Sequence, residues 1–399
     1  MEQLSYGRAG HYVNQPWHYR AFIPKNLPPD PPLDLAGLYK AISLADRMLA
    51  RLDAAAQLHV DVETFIFMSC RREAVLSSQI EGTQSSLSDV LIAEQNLMKG
   101  EYSSDLTETL NYIQAMTTGL ERLKDFPISL RLIREVHKIL LTGTRGKEQS
   151  PGEFRTSQNW IGPEGGTIST ATFVPPPPHE MMVALDNWEK YLHEDDDTPP
   201  LVKLAILHAQ FETIHPFLDG NGRIGRLLLT FLLCDWGILE RPFLYVSHTL
   251  KLNRTEYYDR LQAVRDKGDW EGWIKFFLQA MAISAQDANE RMRQINNLKE
   301  ALRGRIVSEF PKRSSTLHRL LDALFVQPYI SANRAQQILD LSKSASYQNL
   351  QILRRMSIIE EVFVFEGIRL YRFAPYLDLL MKESVLTPET QSPLLRMPD

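Results

Sequence analysis

Cysteine is nearly absent: the chain has two thiols, Cys70 and Cys234, in 399 residues. That count excludes a disulfide framework and a cysteine-based metal site. Both thiols lie in apolar helical pattern, where a buried, reduced state is expected. No apolar run is long enough to span a bilayer, and the longest, Leu227 to Cys234, falls far short. The opening segment MEQLSYGRAG lacks the basic-then-apolar pattern of a secretory signal. A cytoplasmic protein with no membrane partner is therefore expected. Neither sign of charge dominates. The formal net charge of −5 argues against a chain that coats nucleic acid over its whole surface. Internal repeats are absent as well. What remains is an ordinary globular composition, 44% hydrophobic and 23% charged, with length enough for two or three domains.

Residues 1–34 are aromatic and proline-rich, with Tyr12, Trp17 and Tyr19 followed by NLPPDPPLD. Proline locks φ and removes a donor, so neither a helix nor a central strand is expected here, only an extended arm across the body. Helical pattern runs from Leu35 to about Leu58. A second helix follows, with Asp61 as N-cap, Glu63 in its first turn, and Phe65, Met68, Val75, Leu76 and Ile80 along it. Gly82 is its natural stop. Ser77 and Glu81 are four apart and share a face near the C-terminal end, where a carboxylate opposes the helix dipole. Ser86 opens another helix, and further helical pattern covers 105–124 and 129–141. The stretch 143–180 is rich in Gly, Ser, Thr and Pro. Its runs Gln158–Ile161 and Ala171–Val174 read as a small β-hairpin flap, and Pro175 to Pro178 as a stiff connector. Helices are expected over 180–193, 201–214, 227–236, 253–268, 270–285 and 283–310, the one at 227–236 buried and central. After Pro311-Lys312-Arg313 come three helical segments, 316–325, 332–339 and 343–356. Alternating runs at 358–365 and 369–373 then read as a two-stranded hairpin, the layout of a winged helix. Disorder is expected from about Thr387.

The densest chemistry lies in His215-Pro216-Phe217-Leu218-Asp219-Gly220-Asn221-Gly222-Arg223-Ile224-Gly225-Arg226. Gly220, Gly222 and Gly225 match GxGxxG, but a dinucleotide fingerprint needs a strand before it, and LVKLAILHAQFETI is helical in spacing and length. A P-loop is excluded because no GK[ST] follows. The residues describe instead a loop entering a helix, whose free N–H groups make an anion site. Glycines there permit unusual backbone angles and close ligand approach. Arg223 and Arg226, three apart on the first turns, can reach the same phosphate group. Asp219 is an oxygen ligand suited to Mg²⁺. His215 is a suitable general base for a hydroxyl nucleophile. Phe217 has no chemistry and is expected to anchor the loop.

At every defined position the stretch resembles the Fic-domain signature HxFx[DE]GNGRxxR. The resemblance implies a mainly α Fic fold with a β-hairpin flap and a C-terminal winged helix. It also implies transfer of AMP from Mg²⁺-bound ATP to a Ser, Thr or Tyr hydroxyl of a protein. Carried over by position, His215 resembles the base and Asp219 the Mg²⁺ ligand. Gly220, Asn221 and Gly222 resemble the phosphate cradle, with Ile224 and Gly225 continuing it. Arg223 and Arg226 resemble the β- and γ-phosphate contacts. Ser77-Ser78-Gln79-Ile80-Glu81-Gly82 fits [ST]xxxE[GN], the inhibitory-helix motif of the same family. It implies that Glu81 pairs with Arg226 and makes ATP bind unproductively. The flap, with Asn159, Trp160, Ile161 and Gly162, resembles a hairpin that docks the target by strand addition, or is a plain surface hairpin. Tyr257 and Tyr258 resemble paired tyrosines beside an adenine pocket, or are packing residues. Other transfers on the same scaffold, including AMP removal with Glu81 orienting a water, remain open.

The domain reading that follows is 1–125 for the arm and inhibitory helix, 126–285 for the catalytic core and 286–310 for a connector. A winged helix at 311–375 and a tail at 376–399 complete it. Residues 311–373 carry nine Lys and Arg against five Asp and Glu, a net +4 in a chain of −5. With Lys343, Arg354 and Arg355 on or beside the candidate recognition helix, DNA contact or protein docking by this part is expected. The target protein is not written in the sequence; self-modification and a homodimer are both compatible with it.

Overall fold

The structure, a computed structural model, describes residues 7–16, 18–57, 62–95, 102–144, 148–163, 165–364 and 368–384. The N-terminal segment is not an arm. Strands β1 (Gly10–Gln15) and β2 (Tyr19–Pro24) pair antiparallel, Gly10 opposite Pro24 and Gln15 opposite Tyr19. The proline run begins only where β2 ends, so it terminates the hairpin rather than preventing it. Phe22 and Ala21 are fully buried, and Phe22 N–H donates to Val174 O at 2.9 Å, tying the hairpin to the body.

Helix α1 (Leu35–Gln57) and helix α2 (Val62–Ile80) follow; Asp61, expected to cap α2, lies outside the described residues. Helix α3 (Leu87–Ala93) is closed at its start by Ser86 and Asp89 in a reciprocal capping box. Then come α4 (Ser104–Arg122), α5 (Leu130–Leu140) and α6 (Pro178–His193). Between α5 and α6 the expected flap hairpin shrinks to one bridge, Ile161 opposite Phe173, with a 3-10 turn at Ile168–Thr170. Pro163 and the prolines from Pro175 lack the donors that a longer ladder requires.

Helix α7 (Pro200–Ile214) has no solvent face: every residue from Leu201 to Ile214 is buried, which places it at the centre. Two indoles grip it, Trp188 donating to Leu207 O at 2.9 Å and Trp273 to Ala205 O at 2.8 Å. Helix α8 (Asn221–Asp235) packs beside it, and α9 (Ser247–Leu252) and α10 (Arg254–Lys267) close the layer. The two helices expected over 270–310 are a single 40-residue helix, α11 (Trp270–Glu309). Its buried stripe continues from Phe277 through Ala285 to Met292, and no breaker falls at the expected junction.

The C-terminal elements are α12 (Ser314–Val326), β3 (Tyr329–Ile330), α13 (Ala332–Leu339), α14 (Lys343–Arg355), β4 (Glu360–Val364) and β5 (Ile368–Arg372). The strands form one antiparallel sheet in the order β3-β5-β4. The two-residue β3 is too short to show an alternation in sequence. A further helix, α15 (Ala374–Met381), occupies the start of the segment read as tail. Its Tyr376, Leu377 and Leu380 are buried. Among the described residues no helix is long and apolar enough to cross a membrane.

Helix α4 approaches α8 through a bare glycine. A Cβ on Gly119 would stand 2.1 Å from the Phe231 ring. Gly119→Ala should therefore lower stability by about 1–3 kcal/mol through overpacking, despite alanine's better helix propensity. A denaturant midpoint equal to or above wild type would show that the α4–α8 seam yields.

Candidate active site

The last turn of α7 ends at His215 in the left-handed region, φ 49°, a conformation that an L-residue holds only when its surroundings impose it. Two neighbouring side chains, Arg155 and Asn159, impose it. Arg155 Nε donates to His215 O at 3.0 Å and its Nη2 to Pro176 O at 2.5 Å. Asn159 Nδ2 donates to His215 O at 3.3 Å and to Phe217 O at 2.8 Å. The next residues turn around Phe217, which is fully buried and stacks on His137 at 3.7 Å between ring centroids. Gly152 N–H donates to His137 Nδ1 at 2.9 Å, which leaves the ring proton on Nε2, where it is donated to Asp219 O at 3.0 Å. Asn221 closes the loop: its Oδ1 accepts from Phe217 N–H and its Nδ2 donates to Phe217 O, both at 2.8 Å. Its amide thus fixes the loop's shape. Gly220, φ 79°, then starts α8.

The His215 ring faces this loop with Nδ1 free of any partner among the described residues. Burial, and then the fields of Arg265 and Arg155, push its pKa down to about 3, only partly offset by Glu81 and the nearby Glu212 carbonyl. The imidazole is therefore neutral at physiological pH and able to accept a proton.

The two arginines of the motif diverge. Arg223 donates to Glu108 Oε2 at 2.9 Å and to Asp219 Oδ1 at 3.3 Å. Arg226, 1% exposed, donates from Nε to Ser77 Oγ at 2.8 Å, and from Nη2 to Ser77 O at 3.0 Å and Glu81 Oε1 at 2.6 Å. In this structure the two guanidiniums rest on separate carboxylates. Burial works against both charges of the Glu81–Arg226 pair, yet each partner outweighs it: Glu81 is held below its ordinary pKa and Arg226 above its own. Both neighbouring glycines leave room for carboxylates. A Cβ on Gly222 would come within 2.3 Å of Glu81 Oε1, and one on Gly225 within 2.3 Å of Glu212 Oε1.

Asp219 keeps 43% of its side chain exposed and spends Oδ1 on Gly220 N–H at 2.6 Å as well as on Arg223. No cluster of three metal-binding side chains exists among the described residues. A lone accessible carboxylate fits Mg²⁺ when phosphate oxygens supply most of the other ligands. Ile224 is buried and can offer a ligand only its backbone. The paired tyrosines part company, because adjacent helical residues point about 100° apart. Tyr257 is 1% exposed, its hydroxyl donating at 2.9 Å to His208 Nε2, while His208 Nδ1 donates to Gly225 O at 3.2 Å. It supports the start of α8 from beneath and is not placed to stack on a base; Tyr258 keeps an open face. Trp160 is exposed beside the bridged Ile161, and Gly162 approaches Ala171 closely. His137, Arg155, His208 and Glu212 went unread in the sequence. Arg155 sits in a Gly/Ser-rich loop, and the others sit on helices whose periodicity marks them only as inward.

Glu212 has a buried Oε1 without a hydrogen-bond partner among the described residues, and burial raises its pKa from 4.5 to about 7, with Arg226 opposing and Glu81 reinforcing the rise. Between those two values the folded chain keeps a proton that the unfolded chain has lost, so this group's stabilisation fades as pH rises through the window. Glu212→Gln should therefore gain on the wild type by as much as about 3 kcal/mol between about pH 5 and about pH 8. A difference in denaturation free energy that stays constant with pH would refute a protonated Glu212.

Profiles of known families match two adjoining stretches: the Fic/DOC family N-terminal region over residues 39–121 and the Fic/DOC family over residues 127–233. A protein adenylyltransferase Fic of Aedes aegypti is 31% identical over 204 residues, covering 49% of this chain and 37% of that protein. A probable protein adenylyltransferase of Aquifex aeolicus is 26% identical over 209 residues, 52% of this chain and 59% of the relative. The chain thus spans between about a third and three-fifths of the length of these curated relatives. The crystal structure of a Fic family protein from Desulfovibrio desulfuricans superposes with a TM-score of 0.55 at 20% identity, covering 86% of this chain and 98% of that one, which bears on the fold alone. The two matched stretches adjoin, and the second spans the loop between α7 and α8, so residues 127–233 are a Fic/DOC family domain and residues 39–121 its N-terminal region.

Proposed function

We propose that this chain transfers AMP from ATP to a Ser, Thr or Tyr hydroxyl of a protein, its own side chains among the candidates, and that Glu81 restrains it. One observation carries the reading: a neutral His215 is held beside the glycine-lined start of α8, where Arg226 waits with its guanidinium on a displaceable carboxylate. Names of the relatives point the same way.

In this reading the free N–H groups at the start of α8 receive the phosphates, and close approach is open because Gly222 lacks a side chain. Asp219 would hold Mg²⁺, whose charge stabilises the leaving pyrophosphate. The hydroxyl oxygen attacks the α-phosphorus in line, its proton passes to His215, and the bond to the pyrophosphate oxygen breaks. Arg226 would take the γ-phosphate. Glu81 occupies that guanidinium and so competes with the productive pose. Its side chain is 34% exposed, so the pair opens toward solvent from the carboxylate side.

Incubation with α-labelled and γ-labelled ATP tests the reaction. Label on protein from the α position is expected, about tenfold or more above wild type in Glu81→Gly, and reduced about 10²–10⁴-fold in His215→Ala. Label from the γ position alone would mean phosphoryl transfer. Unchanged labelling in Glu81→Gly would remove the inhibitory role.

We further propose that residues 311–373 are a winged helix contacting duplex DNA through α14. Lys343, Ser344, Tyr347, Gln348 and Arg355 form its exposed face. The hairpin contributes less, because Glu361 pairs with both Arg354 and Arg369, and Glu360 with Arg372. The full chain should retard duplex DNA in a salt-dependent way that Lys343→Glu weakens; no retardation at low salt would leave the module a protein-docking element.

A further inference from the structure

The helix that carries Glu81 is held from two sides. At its C-terminal end α2 meets the core through Ser77 and Glu81 on Arg226, and Glu73 accepts from Ser247 N–H at 3.1 Å. Two turns earlier, on the same helix, Arg72 is buried and turned away from the catalytic loop. It donates to Leu380 O, to Lys382 O at 3.1 Å and to Glu383 O at 3.4 Å. Arg291 of α11, 1% exposed, donates to Leu379 O and at 3.1 Å to Lys382 O. These carbonyls belong to the end of α15 and the residues after it. A helix end leaves its last carbonyls without intrahelical donors, and the dipole makes that end negative. Two guanidiniums supply both the donors and the charge.

The surroundings bind these parts into one network. Arg291 also pairs with Asp287 at 3.0 Å and donates to Tyr245 Oη at 3.1 Å. Tyr245 donates to Asp287 at 3.2 Å, and its ring lies 4.9 Å from the Arg72 guanidinium. Ser384 reaches Asp287 at 3.1 Å. Without the α15 carbonyls, Arg72 would be a buried cation stripped of its hydrogen-bond acceptors in this network, a state that proteins avoid. Beyond Gly82 the same module touches the other arm of the turn: Tyr329 Oη donates at 3.0 Å to Ser88 Oγ at the start of α3. Apolar contact accompanies the capping: Phe65 of α2 lines a small pocket together with Phe325 of α12 and Tyr376 of α15. A cavity of about 800 Å³, lined by Phe67, Cys70, Leu120, Cys234 and Pro242 of the core and by Val326 of α12, separates the front of α2 from its neighbours. Polar capping adds to the apolar contact a directional tie between α2 and the end of α15.

We propose that Arg72 and Arg291 are positioning residues that clamp α2 to the carbonyl end of α15, so that the C-terminal module sets whether Glu81 rests on Arg226. Arg72 lies on α2 and Glu81 is the first residue past its C-terminal end, nine residues on and about 13 Å along the axis. A displacement of α15 is therefore delivered to Glu81 by a rigid rod. This inference rests on the reading of Glu81 as the restraint.

Three forms test it: full-length Arg72→Ala, full-length Arg72→Lys, and a chain ending at Met381, which keeps α15 but loses the Lys382 and Glu383 carbonyls. The primary readout is amide hydrogen exchange in peptides covering 73–81, with α6 as internal control. Exchange there should quicken at least about tenfold in Arg72→Ala and in the shortened chain, and less in Arg72→Lys, which keeps a cationic donor. Labelling from α-labelled ATP should rise in the same order, and not rise again when either change is added to Glu81→Gly. Unchanged exchange in 73–81 in both Arg72→Ala and the shortened chain would overturn the clamp, as would a labelling gain that adds fully to that of Glu81→Gly. If Glu81→Gly itself fails to raise labelling, the restraint reading falls, while exchange still decides the clamp. A variant that loses its cooperative thermal transition is replaced by Arg291→Lys, which removes the second guanidinium from the same carbonyls and is judged by the same two outcomes.

Discussion

A guanidinium that water cannot reach must be satisfied by protein. Arg226, 1% exposed, meets that demand with the Ser77 hydroxyl and carbonyl and the Glu81 carboxylate, all contributed by a helix 145 or more residues earlier in the chain. The arrangement is asymmetric. Ser77 is fully buried and Glu81 is not, so the hydroxyl and carbonyl are permanent partners while the carboxylate stands at a solvent-facing edge. Breaking a fully buried ion pair ordinarily costs about 3–5 kcal/mol; an edge carboxylate that can rehydrate costs less. In the proposed reaction an incoming phosphate would bring the same charge and acceptor geometry, so the arginine would not be left unpaired.

Around that contact the loop is built to be stiff. Arg155 and Asn159 hold the carbonyls of His215 and Phe217, His137 stacks on Phe217 and reaches Asp219 O, and Asn221 ties its side chain to the Phe217 backbone. Preorganisation of this kind keeps a reacting group in place without paying for it at the moment of reaction. The same burial that fixes the imidazole also keeps it unprotonated. Arg265 connects this region to the flap: it donates to Glu212 O at 3.2 Å and lies 3.9 Å over the Phe173 ring, directly opposite the bridged Ile161.

Much of the molecule was legible in advance. The helices from Leu35 to His193 follow their apolar spacing closely, and α12, α13 and α14 lie within a residue or two of their expected limits. The departures have local causes. A proline-rich segment concealed the β1–β2 hairpin because its prolines cluster after the strands. The two helices expected over 270–310 proved continuous because adjacent apolar stripes differ in phase without a breaker between them. Helix α15 was read as tail because Tyr376, Leu377 and Leu380 make too short a stripe to recognise before their partners are known.

The sequence by itself determined which chemistry is present: a base, a carboxylate, bare glycines and two arginines at the entrance of a helix, with a second motif upstream that places Ser77 and Glu81 on one face. Those are statements of local spacing, and helical geometry converts spacing into faces within a few residues. Only the tertiary structure decided which groups meet. It sent Arg223 to Glu108 and Arg226 to Glu81, turned Tyr257 inward to His208 and Tyr258 outward, and set Arg72 against the end of α15. Each of these pairings joins residues tens to hundreds of positions apart. No periodicity in the chain carries that information, because it arises from how buried polar groups are shared among helices once the core has closed.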